Sequence, residues 1–247
     1  MANITSQKAS HLAPRIALVT GASRGIGYAT ALALAKHDTN THIIATARTQ
    51  GGLTELDDAI AQIGGSATLV EMDLADRAAL PRLTQAIQKR WGRLDILVLN
   101  AGILGDLAPL AHLDHKTWDE VIDINLSACY RFIHALDNLF KQSPHGRAVL
   151  VSTAAVAAGL AYWGGYAVSK AGLEELGRQW AAELANTPHK VNMIRFGRVA
   201  SAMQAQAFPG ADLTALPQPA DVAPAIVKLT AIDCRHNGQV LAASDLL

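Results

Sequence analysis

Tyr166 and Lys170 stand four residues apart in a stretch of helical periodicity, so they share one helix face. A phenol ionises with a reference pKa of about 10, and a neighbouring ammonium favours its charged form. Such a phenol can give a proton to a carbonyl oxygen as hydride reaches the carbon, or take the proton back from an alcohol. Tyr162 is a decoy on the same stretch, because four residues after it comes Tyr166 and not a lysine. The apolar run just before carries two adjacent hydroxyls, Ser152 and Thr153. Strand side chains alternate between faces, so one of the two is expected to face Tyr166.

A second cluster lies near the N-terminus. Thr20-Gly21-Ala22-Ser23-Arg24-Gly25-Ile26-Gly27 follows a β-branched run and opens an Ala/Leu-rich stretch. Glycines allow a tight turn and close approach of backbone to a pyrophosphate, and a helix start offers free N–H groups to that anion. Gly21, Ser23, Arg24, Gly25, Ile26 and Gly27 are therefore expected to hold a dinucleotide. The end of the next apolar run would meet the adenosine ribose. An acid there would favour NAD(H), but the residues are Thr46-Ala47-Arg48. Arg48, with Arg24, can pair with a 2′-phosphate, which favours NADP(H) over NAD(H).

Elements that position these residues alternate along the chain. Strands are predicted at 16–20, 42–46, 68–71, 94–99, 147–153, 190–196 and 239–242. Helices are predicted at 25–37, 53–63, 76–91, 117–140, 165–186 and 221–232. Residues 198–218 show no clear period and read as a substrate loop or lid. Strands alternating with helices mean βαβ units and a parallel sheet with helices on both faces, ligands binding beyond the strands' carboxyl ends. The expected organisation is a loose lead-in over residues 1–14 and one α/β domain over 15–247.

The glycine spacing G-x-x-x-G-x-G, Asp73-Leu74, Asn100-Ala101-Gly102, Asn125 and Tyr166-x-x-x-Lys170 occur together in this order. In this the chain resembles the short-chain dehydrogenase/reductase family over nearly its whole length. The resemblance implies a single-domain, doubly wound Rossmann fold and a nicotinamide-dependent oxidoreductase. It implies adenine contact by Asp73 and Leu74, and a floor under the ribose and nicotinamide from Asn100, Ala101 and Gly102. Lys170 and Tyr166 would reach the nicotinamide ribose as well as the substrate, and the backbone of Asn125 would hold a water in a proton relay. The family places a hydroxyl, normally Ser, thirteen positions before the Tyr, which here gives Thr153. It usually has Pro-Gly after the sixth strand and a Thr four residues beyond the Gly. Here Phe196 precedes Gly197, and Ser201 stands for the Thr. Gly197, Val199 and Ser201 are expected against the carboxamide. The glycine pair that usually follows the last strand is missing.

Composition narrows the alternatives. Lys+Arg and Asp+Glu balance at 21 each, so no general attraction to nucleic acid or a membrane surface is expected. Cys129 and Cys234 make no disulfide framework, and no signal-peptide core precedes residue 14, so the cytoplasm is the expected location. His112 and His115, with Asp114 between, lack further ligands, and no metal is expected. Leu160, Trp163, Met203 and Phe208 flank the expected pocket and suggest an apolar small-molecule carbonyl or alcohol. The long helices are expected to pair between subunits in a homodimer or homotetramer. An NAD-linked alcohol dehydrogenase, or a nucleotide-binding regulatory protein without turnover, is the alternative.

Overall fold

The computed structural model describes residues 13–247, so most of the lead-in expected over 1–14 lies outside the described residues. Seven strands form one sheet: β1 (Ile16–Thr20), β2 (His42–Ala47), β3 (Ser66–Glu71), β4 (Ile96–Leu99), β5 (Arg147–Thr153), β6 (Lys190–Phe196) and β7 (Val240–Ala242). Their order is β3-β2-β1-β4-β5-β6-β7, and every neighbouring pair is parallel. The order reverses between β1 and β4, which opens a crevice at their carboxyl ends.

Both faces of the sheet are covered, as a parallel sheet requires. Ile16, Leu18, Leu97 and Leu150 face one core with helices α3 (Ala79–Arg90), α5 (Ala128–Lys141) and α7 (Gly164–Glu183). Ala17, Val19, Val98 and Val149 face the other, with α1 (Gly25–His37), α2 (Gly51–Gln62) and α9 (Pro219–Thr230). That is the doubly wound α/β architecture read from the sequence.

Two expectations need correction. The helix expected over 117–140 is not continuous. It runs as α4 (His115–Ile122), widens into a π turn over Asp123–Ser127, and resumes as α5. Asn125 sits in that turn, fully buried, and its carboxamide brackets the backbone of Ile103. Residues 198–218 are not wholly irregular either. They hold α8 (Ala202–Ala207), capped by the Ser201 hydroxyl accepting from the Gln204 N–H. Another short helix, α6 (Ala155–Ala158), follows β5 and ends at Gly159 in the left-handed region. Ends shift by a few residues elsewhere. Thus α9 starts two residues before Asp221, because Gln218 and Asp221 cap it reciprocally.

Candidate active site

The glycine turn is tied to the end of β4. Thr20 Oγ1 accepts from the backbone N–H groups of Asn100 (3.0 Å) and Ala101 (3.1 Å). Asn100 Nδ2 donates back to the carbonyls of Thr20 (2.9 Å) and Gly21 (3.3 Å). Gly21 has φ +68, and a Cβ on Gly27 would stand 2.2 Å from the Gly21 carbonyl oxygen, so only glycine allows this packing. The N-cap of α1 is Arg24, whose side chain makes no cap hydrogen bond, and the helix start opens toward the crevice.

At the other end of the crevice, Tyr166 and Lys170 lie on α7, 8% and 3% exposed. Lys170 Nζ donates to the Val151 carbonyl at 2.7 Å. Burial lowers its pKa, with Cys129 acting the other way. Thr153 stands beside Tyr166 on the cavity wall, and its hydroxyl acts on the phenol. Burial pushes that phenol up to about 12, and Thr153 pulls partly back. The lowering expected from the neighbouring Lys170 ammonium is not among the influences on this phenol. Here desolvation wins and the phenol stays neutral. The loop after β4 closes over the pair: a Cβ on Gly102 would lie 3.1 Å from Asn125 Oδ1 and 3.4 Å from Lys170 Nζ. Ser169, unremarked in the sequence, links the layers. Its hydroxyl donates to the Tyr166 carbonyl (2.7 Å) and accepts from Asn125 Nδ2 (3.0 Å).

The two ends belong to one cavity of about 1100 Å³, and it gathers nearly every residue singled out above. Gly27 lies beneath the turn, and Asn125 is sealed behind the loop. Arg24 and Arg48 line the cavity beside the glycine turn and the end of β2, exposed and with no carboxylate partner among the described residues. The Asp73 carboxylate accepts from the Ala75 N–H at 2.9 Å and turns the chain after β3. Tyr162 is 61% exposed, does not line the cavity, and has φ 72. Asp114, between the two histidines, caps α4 by accepting from the Thr117 N–H.

The short chain dehydrogenase family profile matches residues 15–212. The chain belongs to the short-chain dehydrogenase/reductase family.

It is thus an oxidoreductase by family. An uncharacterised oxidoreductase of Escherichia coli (strain K12), YciK, is 32% identical over 226 residues, covering 90% of this chain and 88% of that protein. The short-chain dehydrogenase/reductase FrzI of Cladobotryum sp is 37% identical over 183 residues, 74% of this chain and 68% of the other. Among solved structures, a short chain dehydrogenase of Salmonella enterica serovar Typhi superposes with a TM-score of 0.87 at 32% identity, over 93% of this chain and 96% of that one. One from Escherichia coli CFT073, complexed with NADPH, gives 0.85 at 31% identity, over 94% and 97%.

Within this dehydrogenase, the residue at the family's missing proline is buried: Phe196, whose carbonyl accepts from the Ala154 N–H at 2.9 Å and joins the ends of β5 and β6. Gly197, Val199 and Ser201 follow along the cavity wall, and the Ala200 N–H donates to the Pro217 carbonyl. Ser152 turns away from Tyr166. Its hydroxyl donates to Glu174 Oε1 at 2.6 Å, and Glu174 takes Nε and Nη2 of Arg195 at 2.7 Å each. The ion pair raises the Arg195 pKa. Sequence reading missed this network. Its one signal is an acid on the apolar face of α7, one turn beyond Lys170. Glu174→Ala strips partners from Arg195 and Ser152 together. It should cost about 3 kcal/mol of stability, seen as a lower urea midpoint, with Arg178→Ala as the mild control.

Proposed function

We propose that this dehydrogenase interconverts a small carbonyl compound and its alcohol using NADP(H), with Tyr166 moving the proton. One observation carries the reading. The neighbouring Thr153 and Tyr166 hydroxyls lie at one end of a cavity whose other end presents Arg24 and Arg48, neither paired with a carboxylate among the described residues. When bound, the cofactor supplies or accepts the hydride. The turn from Gly21 to Gly27 fits its pyrophosphate, since backbone approaches where side chains would collide. Asp73 and Leu74 would flank the adenine, Asn100, Ala101 and Gly102 the ribose floor, and Gly197, Val199 and Ser201 the carboxamide. Thr153 would polarise the carbonyl. Lys170 would hold the nicotinamide ribose, and Asn125 would fix the loop beside it. The relative complexed with NADPH supports the same cofactor choice.

Binding is the test. NADPH should bind about 10- to 100-fold tighter than NADH, the worth of charge-assisted contacts to a 2′-phosphate. Arg48→Asp should reverse the order in calorimetric titrations at moderate salt. Tighter NADH binding by the unmodified protein would defeat the NADP(H) reading and favour an NAD-linked dehydrogenase.

We also infer a cytoplasmic homodimer or homotetramer. Tyr130 on α5 and Val168 on α7, 55% and 47% exposed, support pairing through the long helices. Among the described residues, no helix is long and apolar enough to cross a membrane.

A further inference from the structure

Resting on the oxidoreductase reading, we propose that the substrate carries an anionic group, a carboxylate in the simplest case, held by Arg198 some distance from the reacting carbonyl.

Arg198 directly follows Gly197 beyond β6 and lines the cavity. Its guanidinium lies 4.7 Å from the centroid of the Phe208 ring. On another side it is held by the Gln204 amide, whose oxygen accepts from Nε at 2.9 Å and Nη2 at 3.2 Å in the orientation that satisfies both groups. Gln204 is itself only 9% exposed. The group is therefore positioned from two sides, yet no carboxylate pairs with it among the described residues. With Nε and one Nη2 proton taken by Gln204, the outer edge of the guanidinium, Nη1 and the second Nη2 proton, is left to donate to an oxyanion.

Charge around the cavity agrees. Its charged side chains are Arg24, Arg48, Asp73, Lys170 and Arg198. The one acid, Asp73, follows β3, five strand positions from β6, which at about 4.8 Å per strand is roughly 24 Å away. Arg24 and Arg48 belong to the β1 and β2 ends, so they serve the ribose end and leave Arg198 to the substrate half. There the wall is apolar, with Leu160, Trp163, Met203 and Phe208. Arg198 is exposed at this wall, so it can meet an entering anion, while a neutral analogue gains nothing from its charge. The aromatic path from the reacting end sets the scale. Trp163 lies 6.0 Å from Tyr166 and 5.9 Å from Phe208, ring centre to ring centre. The anion must then be separated from the carbonyl by a spacer. In the reaction the carbonyl carbon takes the hydride of NADPH and its oxygen takes the proton of Tyr166. The C=O π bond gives way to C–H and O–H bonds, and a hydroxy acid, NADP+ and the Tyr166 phenolate result, the phenolate regaining its proton from solvent.

The test uses 4-oxopentanoate, 5-oxohexanoate and 7-oxooctanoate, each beside its methyl ester. Turnover with NADPH is followed, and calorimetric binding is measured in the presence of NADP+. At the best-fitting length the acid should exceed its ester by about 10- to 100-fold in kcat/KM and in affinity. Arg198→Gln should collapse that ratio toward one, and added salt should shrink it in the unmodified protein. Esters binding as well as acids at every length would overturn the proposal. So would Arg198→Gln weakening NADPH as much as it weakens the oxo acid. Preferential binding of acids without any turnover would uphold the anion site while the carbonyl-reductase reading failed.

Discussion

Tyr166→Phe should lower carbonyl reduction about 10³- to 10⁴-fold while leaving NADPH affinity within a few-fold of the parent. The change removes one oxygen from a side chain that is 8% exposed and keeps the ring, including its edge contact with Trp163. What it removes is the proton. Burial holds the phenol up near 12, so at neutral pH it is a proton donor and matches the reduction direction. Lys170 does not undo this, because burial lowers its own pKa and its Nζ donates a hydrogen bond to the Val151 carbonyl. Lys170→Ala should damage cofactor binding and turnover together, since the lysine also packs under the Gly102 loop. Tyr162→Phe should stay active, its ring being exposed and outside the cavity. A pH signature follows from the same shift. The unfolded chain's tyrosine ionises near 10, the folded one near 12, so the stability from keeping Tyr166 neutral is complete below pH 10 and is lost as pH rises toward 12. Urea unfolding at pH 8 and pH 11 should show a smaller alkaline loss in Tyr166→Phe. A Tyr166→Phe enzyme with near-parental turnover would remove the phenol from the chemistry.

The central strands were legible because they are short apolar runs, and burial on both faces leaves them no polar alternation to blur. Ile16–Thr20, Arg147–Thr153 and Lys190–Phe196 are seen where the sequence puts them. The break at Asp123–Ser127 was not legible. Its residues continue a helical period, and the cause is tertiary: Asn125 meets the Ile103 backbone 22 positions earlier in the chain. The helix Ala202–Ala207 hid for the opposite reason, since AMQAQA has no apolar stripe. In the site, Tyr166, Lys170 and the glycine turn could be found because their partners are near in sequence or repeat at fixed spacing. Glu174 could not be connected with Ser152 and Arg195, because the three meet only once α7 packs across β5 and β6. Arg198 looked like any loop arginine until Phe208 and Gln204 closed on it.

Thr153→Val should cut turnover about 10²- to 10³-fold, the usual cost of removing a donor aimed at an oxygen on which charge develops. The argument depends on strand register. Ser152 and Thr153 are adjacent at the end of β5, and a one-residue slip would exchange their roles. The strand pairs Ser152 with Arg195 and Thr153 with Phe196 on β6. Ser152 thereby falls on the side where Glu174 and Arg195 wait, and it is 3% exposed with its hydroxyl donated to Glu174. Thr153 is left at the strand tip, partly exposed, beside the Tyr166 phenol, its oxygen accepting from the Ala155 N–H at 3.3 Å. Valine keeps the branched shape and deletes that oxygen, so the loss should appear in kcat with little change in the urea midpoint. Thr153→Ser restores the hydroxyl without the methyl and should recover much of the rate. Ser152→Ala should do the reverse of Thr153→Val. It leaves a buried carboxylate oxygen of Glu174 short of one donor, so stability should fall by about 1–2 kcal/mol while kcat holds within a few-fold. The pair of variants separates the alternatives in one experiment. Large rate loss in Ser152→Ala with near-normal turnover in Thr153→Val would move the donor to the residue type the family prefers, one position earlier than this geometry places it.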